Sequence, residues 1–577
     1  MGRIRLFKIK TIEVGENMIK KWEVNKTDTE EAEEFAKKYK ISNLLASILI
    51  HRGITTDTDV SKFLHPTRMD FYDPFLMPDM DKAVNRIMEA VRNKEKITIY
   101  GDYDVDGITS ITVLKNFFAD SYIDVMTYIP NRLDEGYGLN KDAIREISYY
   151  DTNLIITVDC GITGIEEIEY AKKLGIDVIV TDHHEPGEEL PDCIAVVDAK
   201  RKDNTYPFNQ LAGCGVAFKL IQALATKWKI PENEYLKYLD IVAVGTISDI
   251  VPVVDENRVI AKLGLMLLPQ TKNIGLKALM DLCGFKKIDS NMVSFGLSPR
   301  INACGRMGHA EEALNLFLAK DSKKTGSMAK KLNEYNVERQ KIEKNIYDEA
   351  IEEIEKEKEN PAIVIGKENW HHGVAGIVSS KITEEYFKPS ILVCFEGEEG
   401  KGSGRSIPGF DLHEALMECS EYLEKFGGHS MAVGITIKKE KFEDFKKAFI
   451  EYTKSKNISG IVPVINIESK IELKDINLKN VKDLQRLEPF GEKNKTPLFL
   501  IENLKIVSIR ALSEGKHLKI LLKQDNFFID AIGFNIGDLA NEYKIEDKVD
   551  IVGTIDINVF NGNENIQLTI KDIRKSI

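Results

Sequence analysis

The chain has 577 residues, of which 43% are hydrophobic and 30% are charged, and its formal net charge is −13. This composition is typical of a multidomain globular protein, and no run of about 18 apolar residues predicts a membrane-spanning helix. Seven cysteines without a C-x-x-C pair argue against a disulfide scaffold and favour a reducing, cytoplasmic location. The acidic balance weakly disfavours a nucleic-acid partner, although a local basic groove can lie on an acidic protein.

Residues 1–75 predict a helical, loop-rich lead-in, and the pattern changes near Lys96. From there, short β-branched runs such as KITIY, NLIITV and DVIVT alternate with helical segments. This alternation predicts a mostly parallel, doubly wound sheet within a domain of residues 76–320, which ends in a largely helical part.

The rest of the chain divides into three further segments. Residues 321–360 are highly charged and favour a helix, which predicts a long solvated connecting helix because no heptad pattern is sustained. A second α/β pattern covers residues 361–460. Residues 461–577 contain about five alternating strands and one inserted helix, IGDLANEY, which predicts a small β-barrel of the OB type.

The segment DYDVDG places Asp102, Asp104 and Asp106 directly after a predicted strand. An EF-hand loop begins in the same way, but it needs a glutamate at its twelfth position, where this chain has Val113, and a helix before the loop. The EF-hand is therefore rejected. Because clustered carboxylates repel one another, we expect a cation among them.

Acidic residues also follow the other predicted strands, namely Asp159 after LIITV, Asp182 with His183 and His184 after DVIVT, and Asp198 after IAVV. One such aspartate is usually a cap or a turn residue, but ligands of open α/β sheets bind at the carboxyl ends of strands. Alternate residues of an extended segment point the same way, so Asp104 and Asp106 should reach one ion or two adjacent ions. Oxygen ligands with imidazole favour Mn²⁺ or Mg²⁺, and two ions about 3.5–4 Å apart would form a phosphoryl-transfer site.

The motifs DYDVDG, VDCG, TDHH and VGTISDIVP resemble, in this order, those of the DHH phosphoesterase superfamily. The resemblance continues through LSPRINACGRMGHA, WHHGVAGIVSSKI, GSGRSIPGFDLHEAL, FGGHSMAVGI and the linker LEPFGEKNKTPLF. Within the superfamily, the chain is most similar to bacterial exonucleases that are specific for single-stranded DNA. The fold that this implies is a DHH domain with a doubly wound parallel sheet, a long connecting helix, a DHHA1 α/β domain and a C-terminal OB-type barrel.

The resemblance implies a metal-dependent exonuclease that degrades single-stranded DNA from 5′ to 3′ into mononucleotides, in DNA repair and recombination, with two Mn²⁺ or Mg²⁺ ions. The metal ligands that it implies are Asp104, Asp106, Asp159, His183 and Asp249. Among these, Asp159 would bridge the ions and Asp249 would complete the second site. Asp102 would lie in or next to the ligand shell, and Asp182 and His184 would orient His183 or contact the substrate.

A second set of residues predicts anion binding. KGSGRSIPG predicts a glycine-rich loop with Ser403 and Arg405, because glycines let N–H groups approach an anion and arginine binds phosphate bidentately. FGGHS, with Gly428 and His429, is a second glycine-rich element. A plain turn would be the better explanation of the first pattern if it stood alone, and a packed histidine near a tight turn competes with substrate contact for the second. The resemblance favours substrate contact for both. It also implies two residues that hold the terminal phosphate, Arg132 and Arg306.

The predicted barrel carries aromatic residues that could stack on bases, as OB folds do. They are Phe499, Phe527, Phe528, Phe534 and Phe560. Most of them should lie in the core, and Phe560 in the turn-like VFNGN is the best candidate for exposure.

Alternative functions stay open. A DHH phosphodiesterase for short oligonucleotides or cyclic dinucleotides shares the metal motifs but usually lacks the barrel. A family II pyrophosphatase is disfavoured because Tyr100 stands where its first motif has histidine. A degenerate single-strand-binding scaffold would tend to lose the carboxylates, which are present here. The implied partners are single-stranded DNA, a single-strand-binding protein and a helicase, with no membrane, and the implied state is a monomer.

Overall fold

The computed structural model describes residues 20–26, 28–560 and 563–576. Within this part of the chain, no helix is long and apolar enough to cross a membrane. The N-terminal segment forms β1 (Lys21–Val24), α1 (Thr29–Tyr39), α2 (Asn43–His51) and α3 (Asp57–Leu64). The strand was not predicted for this segment, because it pairs in parallel with Val464–Ile467, a partner that no local pattern reveals.

The next domain alternates helices and strands as predicted. Its elements are α4 (Met80–Asn93), β2 (Ile97–Gly101), α5 (Val105–Asp120), β3 (Met126–Tyr128), α6 (Lys141–Ser148), β4 (Leu154–Val158), α7 (Ile165–Lys173), β5 (Asp177–Thr181) and β6 (Ala195–Val197). The strands form one parallel sheet in the order β3-β2-β4-β5-β6. Both β2 and β4 are buried at every position, as expected when helices cover both faces of a parallel sheet. The doubly wound sheet is therefore confirmed.

The helical part of this domain also follows the prediction. It contains α8 (Gly213–Trp228), α9 (Glu232–Leu236), α10 (Leu239–Ser248), α11 (Asp255–Leu267), α12 (Ile274–Cys283), α13 (Ser298–Arg306) and α14 (Ala310–Leu318). The long connecting helix follows as α15 (Ser322–Lys356). Helices α8 and α10 are buried along almost their whole length, which places them as inner helices whose ends can carry the site.

The second α/β domain contains a mixed sheet. Its elements are β7 (Ile363–Glu368), α16 (His372–Tyr386), β8 (Ser390–Glu396), β9 (Glu399–Arg405), α17 (Leu412–Glu418), β10 (Leu423–His429), β11 (Ala432–Lys438) and α18 (Phe442–Ser455). The strand order is β10-β11-β9-β8-β7, so β9 is the central strand.

The predicted glycine-rich loop at KGSGRSIPG is wrong, because Ser403 and Arg405 lie in β9. Its glycines occupy alternate positions, so they share one face of the strand. That face leaves no room for side chains, since a Cβ at Gly402 would lie 2.6 Å from Ile435 Cγ1. Ser403 and Arg405 point to the opposite face, where a Cβ at Gly376 of α16 would lie 2.8 Å from Ser403 Oγ.

The C-terminal part forms the predicted barrel. Its elements are β12 (Val464–Ile467), β13 (Ser469–Lys470), α19 (Leu478–Leu484), β14 (Phe499–Leu512), β15 (His517–Gln524), β16 (Phe527–Gly533), β17 (Lys548–Phe560) and β18 (Asn563–Lys575). The order β14-β15-β16-β18-β17 is closed by pairing of β14 with β17. Helices α2 and α3 pack into the same hydrophobic cluster as the barrel strands. The inserted helix at IGDLANEY is reduced to one 3₁₀ segment, Gly537–Asn541.

The phenylalanines of the barrel divide between core and surface. Phe499 is fully buried, whereas Phe527, Phe528 and Phe534 are exposed. The side chain of Phe560 lies outside the described part of the structure.

A buried ion pair anchors α8, the helix whose N-terminus reaches the site. Lys219 Nζ lies 3.0 Å from Glu256 Oε1 of α11, and both side chains are fully buried. Glu256 also accepts hydrogen bonds from the Tyr206 hydroxyl and the Tyr72 N–H. The pair therefore ties α8 and α11 to the segment before α4.

Replacing Lys219 by methionine leaves the Glu256 carboxylate buried without its cation. We expect Lys219→Met to lower the free energy of unfolding by about 3–5 kcal/mol, measured by urea denaturation. The matched change Lys172→Met breaks an exposed pair with Asp192 and should leave the midpoint unchanged. Equal midpoints for both variants would contradict the anchoring role.

Candidate two-metal and phosphate site

The carboxylate cluster lies at the point where the strand order reverses, between β2 and β4. Asp104 is the N-cap of α5, and its carboxylate accepts hydrogen bonds from the N–H groups of Asp106 and Gly107 at 2.8 and 3.1 Å. The expectation of an extended segment is therefore wrong, because Asp106 already lies in the first helical turn. Gly107 is required there, since a Cβ would lie 2.3 Å from the Asp102 carbonyl oxygen.

The N-terminus of α8 holds Asp106. Its carboxylate accepts hydrogen bonds from the N–H groups of Gly213 and Cys214 at 2.6 and 2.8 Å. A helix N-terminus carries partial positive charge, so it stabilises the carboxylate and fixes its direction. At Gly213, a Cβ would lie 2.6 Å from Asp159 Cβ, which brings β4, α5 and α8 into close contact here.

His183 joins the acidic side chains from separate elements. Its Nε2 lies 3.1 Å from Asp159 Oδ1, and 3.7 Å from both Asp106 Oδ2 and Asp249 Oδ2. Asp249 arrives from the end of α10, where it is the C-cap residue. One imidazole nitrogen therefore faces three carboxylates from β4, α5 and α10.

Asp182 organises the turn that carries both histidines. Its carboxylate accepts hydrogen bonds from the N–H groups of Ile162 and His183 and from His184 Nδ1, at 2.9, 2.8 and 2.7 Å. Burial acts to raise the pKa of Asp182, but the hydrogen bond and charge of His184 outweigh it and lower this pKa. The Tyr137 hydroxyl lies 3.0 Å from the same His184 nitrogen. Asp182 thus orients the ring of His184 rather than that of His183.

The cluster lacks charge balance. Burial, followed by the neighbouring carboxylates, raises the pKa of Asp102, Asp159 and Asp249 well above the ordinary range. Burial also raises the pKa of Asp106 and lowers the pKa of His183. These directions mean that ionised carboxylates repel one another without a compensating cation.

The donor set fits two divalent cations. Within the described residues, three groups of ligand atoms lie within 4.8 Å of one another: Asp106, His183 and Asp249; Asp102, Asp104 and Asp159; and Asp159, His183 and His184. Asp102 Oδ1 and His183 Nε2 are buried and have no hydrogen-bond partner, which is the state expected of metal ligands. Asp159 belongs to two groups, in agreement with a bridging position.

Three arginines form a cationic wall next to this cluster. Burial and the charges of Arg132, Arg339 and Arg405 lower the pKa of Arg306 to about 10. Burial and Arg132 likewise lower the pKa of Arg405. The guanidinium of Arg132 lies 4.9 Å from the ring centre of Tyr103, between two of the aspartates. Crowded guanidinium groups are stabilised by an anion, and phosphate matches their geometry.

The wall belongs to both α/β domains. Arg306 ends α13 and donates a hydrogen bond to the carbonyl of Gly373 in α16, at 3.0 Å. By contrast, Gly428 and His429 are exposed at the edge strand β10. The hydrogen bond described for His429 is local, since its Nδ1 accepts from the N–H of Met431 at 3.3 Å. A substrate contact for these two residues stays a prediction.

Sequence patterns did not reveal the residues that act through their backbone amides or that contact the site from distant parts of the chain. Asn302 of α13 accepts a hydrogen bond from the N–H of Val105 at 3.2 Å and so braces the DYDVDG turn. Tyr137 and the amides of Gly213 and Cys214 were also missed. Asn302 lies inside the motif LSPRINACGRMGHA, but no local pattern shows what Asn302 or Tyr137 contacts.

Mn²⁺ should stabilise the folded protein, because it binds a cluster that unfolding disperses. At a hundredfold excess over the dissociation constant, binding adds about 2.7 kcal/mol, measured by thermal unfolding. At alkaline pH, Asp159→Asn should unfold at a higher temperature than the parent without metal, since one repelling charge is gone, and should lose the response to Mn²⁺. The exposed Asp134→Asn is the control. A full Mn²⁺ response in the Asp159 variant would exclude Asp159 as a ligand.

Three family profiles match the chain: the DHH family, N-terminal domain, at residues 96–246; the DHHA1 domain at residues 359–455; and the RecJ OB domain at residues 467–572. The single-stranded-DNA-specific exonuclease RecJ of Bacillus subtilis is 41% identical over 559 residues, which are 96% of this chain and 70% of that protein. RecJ of Haemophilus influenzae is 32% identical over 543 residues, which are 88% of this chain and 93% of that protein.

Among solved structures, the chain is similar to RecJ from Thermus thermophilus in complex with Mn²⁺. The TM-score is 0.85 at 30% identity, and the match covers 96% of this chain and 80% of the other. The Mg²⁺ complex of the same protein matches with a TM-score of 0.78 at 28% identity, and this match covers 96% of this chain and 79% of the other. Sequence, domain order and fold thus agree over nearly the whole length, and the chain belongs to the RecJ family of DHH phosphoesterases.

Proposed function

We propose that this protein is a Mn²⁺- or Mg²⁺-dependent exonuclease that removes single nucleotides from the 5′ end of single-stranded DNA. The observation that carries the proposal is the pairing of a two-cation carboxylate cluster with three half-buried, mutually close arginines beside it. The specificity of the RecJ relatives for single-stranded DNA supports the choice of substrate.

The side chains of the cluster divide the work. Bound cations would lower the pKa of an attacking water and neutralise the charge that develops on the phosphodiester. Asp106 and Asp159 would hold the cations, and hydrogen bonds from the amides of α8 fix the direction of the Asp106 carboxylate. His184, oriented by Asp182, is assigned a contact with the phosphate that is cleaved.

The three arginines would bind the 5′ end of the DNA strand. Arg306 and Arg405 are half-buried and crowded by like charge, so a terminal 5′-phosphate gains strong charge-assisted hydrogen bonds there. Two of the three arginines are carried by regular elements, Arg306 by the end of α13 and Arg405 by the end of the central strand β9. A terminal phosphate bound by these arginines would place one particular phosphodiester at the cations and release one nucleotide per step.

Exposed aromatic residues on the barrel support a long single strand as the substrate, rather than the short oligonucleotides or cyclic dinucleotides of the alternative function. Phe527 and Phe528 are exposed on β16, and Lys523 Nζ lies 5.3 Å from the ring centre of Phe528. Aromatic rings combined with cations bind single strands by base stacking and phosphate attraction. A role in DNA repair and recombination, a cytoplasmic and monomeric protein, and partnership with a single-strand-binding protein and a helicase belong to the same proposal.

The function is tested with a 5′-phosphorylated, 3′-labelled single strand in the presence of Mn²⁺, alongside the matching blunt duplex and a dinucleotide. We expect a ladder of fragments that shorten stepwise from the single strand, little cleavage of the duplex, and no cleavage by Asp159→Asn. Rapid cleavage of the dinucleotide alone would instead support the short-substrate phosphodiesterase. Binding without cleavage by the parent protein would support the scaffold alternative.

Removing one arginine tests the phosphate pocket. Arg405→Met should weaken turnover of 5′-phosphorylated strands about tenfold or more, because one charge-assisted hydrogen bond contributes about 1.5–3 kcal/mol. Strands with a 5′-hydroxyl should be affected much less. Arg92→Met, at the exposed end of α4, is the control. An equal loss on both kinds of end would argue that Arg405 does not bind the terminal phosphate.

A further inference from the structure

The loop that follows Asp249 is paired with the linker of the barrel domain. We call residues 486–494 the docking segment. The N–H of Val253 donates a hydrogen bond of 2.8 Å to the carbonyl of Glu492, and Pro252 and Glu492 form an isolated parallel β-bridge. Only three residues separate Asp249 from Val253.

A buried arginine of the domain of residues 76–320, here called the catalytic domain, binds the docking segment. The guanidinium of Arg258 in α11 is almost fully buried, and the hydrogen bonds described for it all go to backbone carbonyls. Four of these acceptors lie in the docking segment, at 2.9–3.4 Å: the carbonyls of Arg486, Leu487, Glu488 and Pro489. Lys262 Nζ adds a hydrogen bond of 2.9 Å to the Glu488 carbonyl. The catalytic domain therefore recognises the backbone path of this segment, as it would recognise a bound peptide.

The docking segment is also braced from within. Asn494 is fully buried, and its side-chain amide donates to the carbonyls of Leu487 and Pro489 at 2.9 and 2.7 Å. These contacts fix the curve that presents Gly491 and Glu492 to the loop after Asp249. The fit is tight, since a Cβ at Gly491 would lie 2.4 Å from Val253 Cγ2.

The loop itself is strained where it leaves the site. Ile250 directly follows Asp249, has a φ of 61° and is 71% exposed. A β-branched residue in the left-handed region costs about 1–2 kcal/mol, and such a conformation persists only where the surroundings over-determine it. Burial of its own side chain does not offset this cost. The backbone is fixed on either side, by Asp249 N–H to the Gly245 carbonyl and by Val253 to Glu492.

We propose that the docking segment is a positioning element for Asp249: the linker of the barrel domain holds the loop whose first residue, Asp249, faces the cation site. The inference rests on the proposed role of Asp249 as a metal ligand. It gives the C-terminal domain a part in building the cation site that is separate from any contact with DNA. The docking segment would affect the cation site by fixing the position of Asp249 Oδ2, which lies 3.7 Å from His183 Nε2.

The experiment uses the full chain with a compensating pair of substitutions. Gly491→Ala introduces a methyl group that collides with Val253, and Val253→Ala removes the colliding atom. The control is Gly460→Ala, where a Cβ would have no atom within 4 Å. The Mn²⁺ dissociation constant is measured by calorimetry without DNA, and the Mn²⁺ concentration for half-maximal hydrolysis is measured in parallel.

We expect Gly491→Ala to weaken Mn²⁺ binding about tenfold, the scale seen when groups that orient metal ligands are changed. The double variant should return to the value of Val253→Ala alone, and Gly460→Ala should match the parent. If Gly491→Ala fails to fold, Lys262→Met, which removes one carbonyl donor, should produce a smaller change in the same direction.

An unchanged Mn²⁺ dissociation constant in Gly491→Ala, or a loss that Val253→Ala does not reverse, would overturn the proposal. A lowered unfolding temperature alone would mark a purely structural contact. The two proposals fail separately, because a parent protein that binds Mn²⁺ without hydrolysing DNA refutes the exonuclease function while the calorimetric comparison still decides the positioning role.

Discussion

Mutual repulsion among buried carboxylates is the constraint on which the rest of the structure depends. Asp106, Asp159 and Asp249 converge on His183 from three different elements, and burial makes their negative charges hard to sustain. Such a cluster survives only where rigid neighbours hold each carboxylate, as the N-terminus of α8 does for Asp106. The buried helices α8 and α10 and the Lys219–Glu256 pair are best understood as supports for this cluster.

The site unites two opposite electrostatic problems. The carboxylate cluster needs cations to balance its negative charge. Arg132, Arg306 and Arg405, which crowd their positive charges together, need an anion. A nucleic-acid backbone with bound divalent ions resolves both at once. This explains how a chain with a net charge of −13 can act on DNA, because the local arrangement of charge outweighs its sum.

Much of this was predictable from the sequence, and the failures have physical causes. Aspartates after successive strands predicted the cation site because the topology of a parallel sheet brings those ends together. Local patterns misled at β9, where alternate glycines serve sheet packing and not a loop, and at Asp106, which a capping aspartate moved into a helix. Asp249 could be placed only by family resemblance, since nothing near it in sequence indicates that α10 ends beside His183. The path of the docking segment was invisible for the same reason.

The parallel pairing of β1 with β12 has a consequence for how the protein is made. Strand β1 emerges from the ribosome long before its partner around Ile465. The apolar side chains of α2 and α3 likewise have no barrel strands to pack against until the barrel has been synthesised. During synthesis the N-terminal segment therefore exposes an unpaired edge and apolar side chains, the features that favour aggregation. The barrel, which is translated long after the N-terminal segment, ends this exposure, so a chain that terminates before the barrel would also leave the N-terminal segment without its partners.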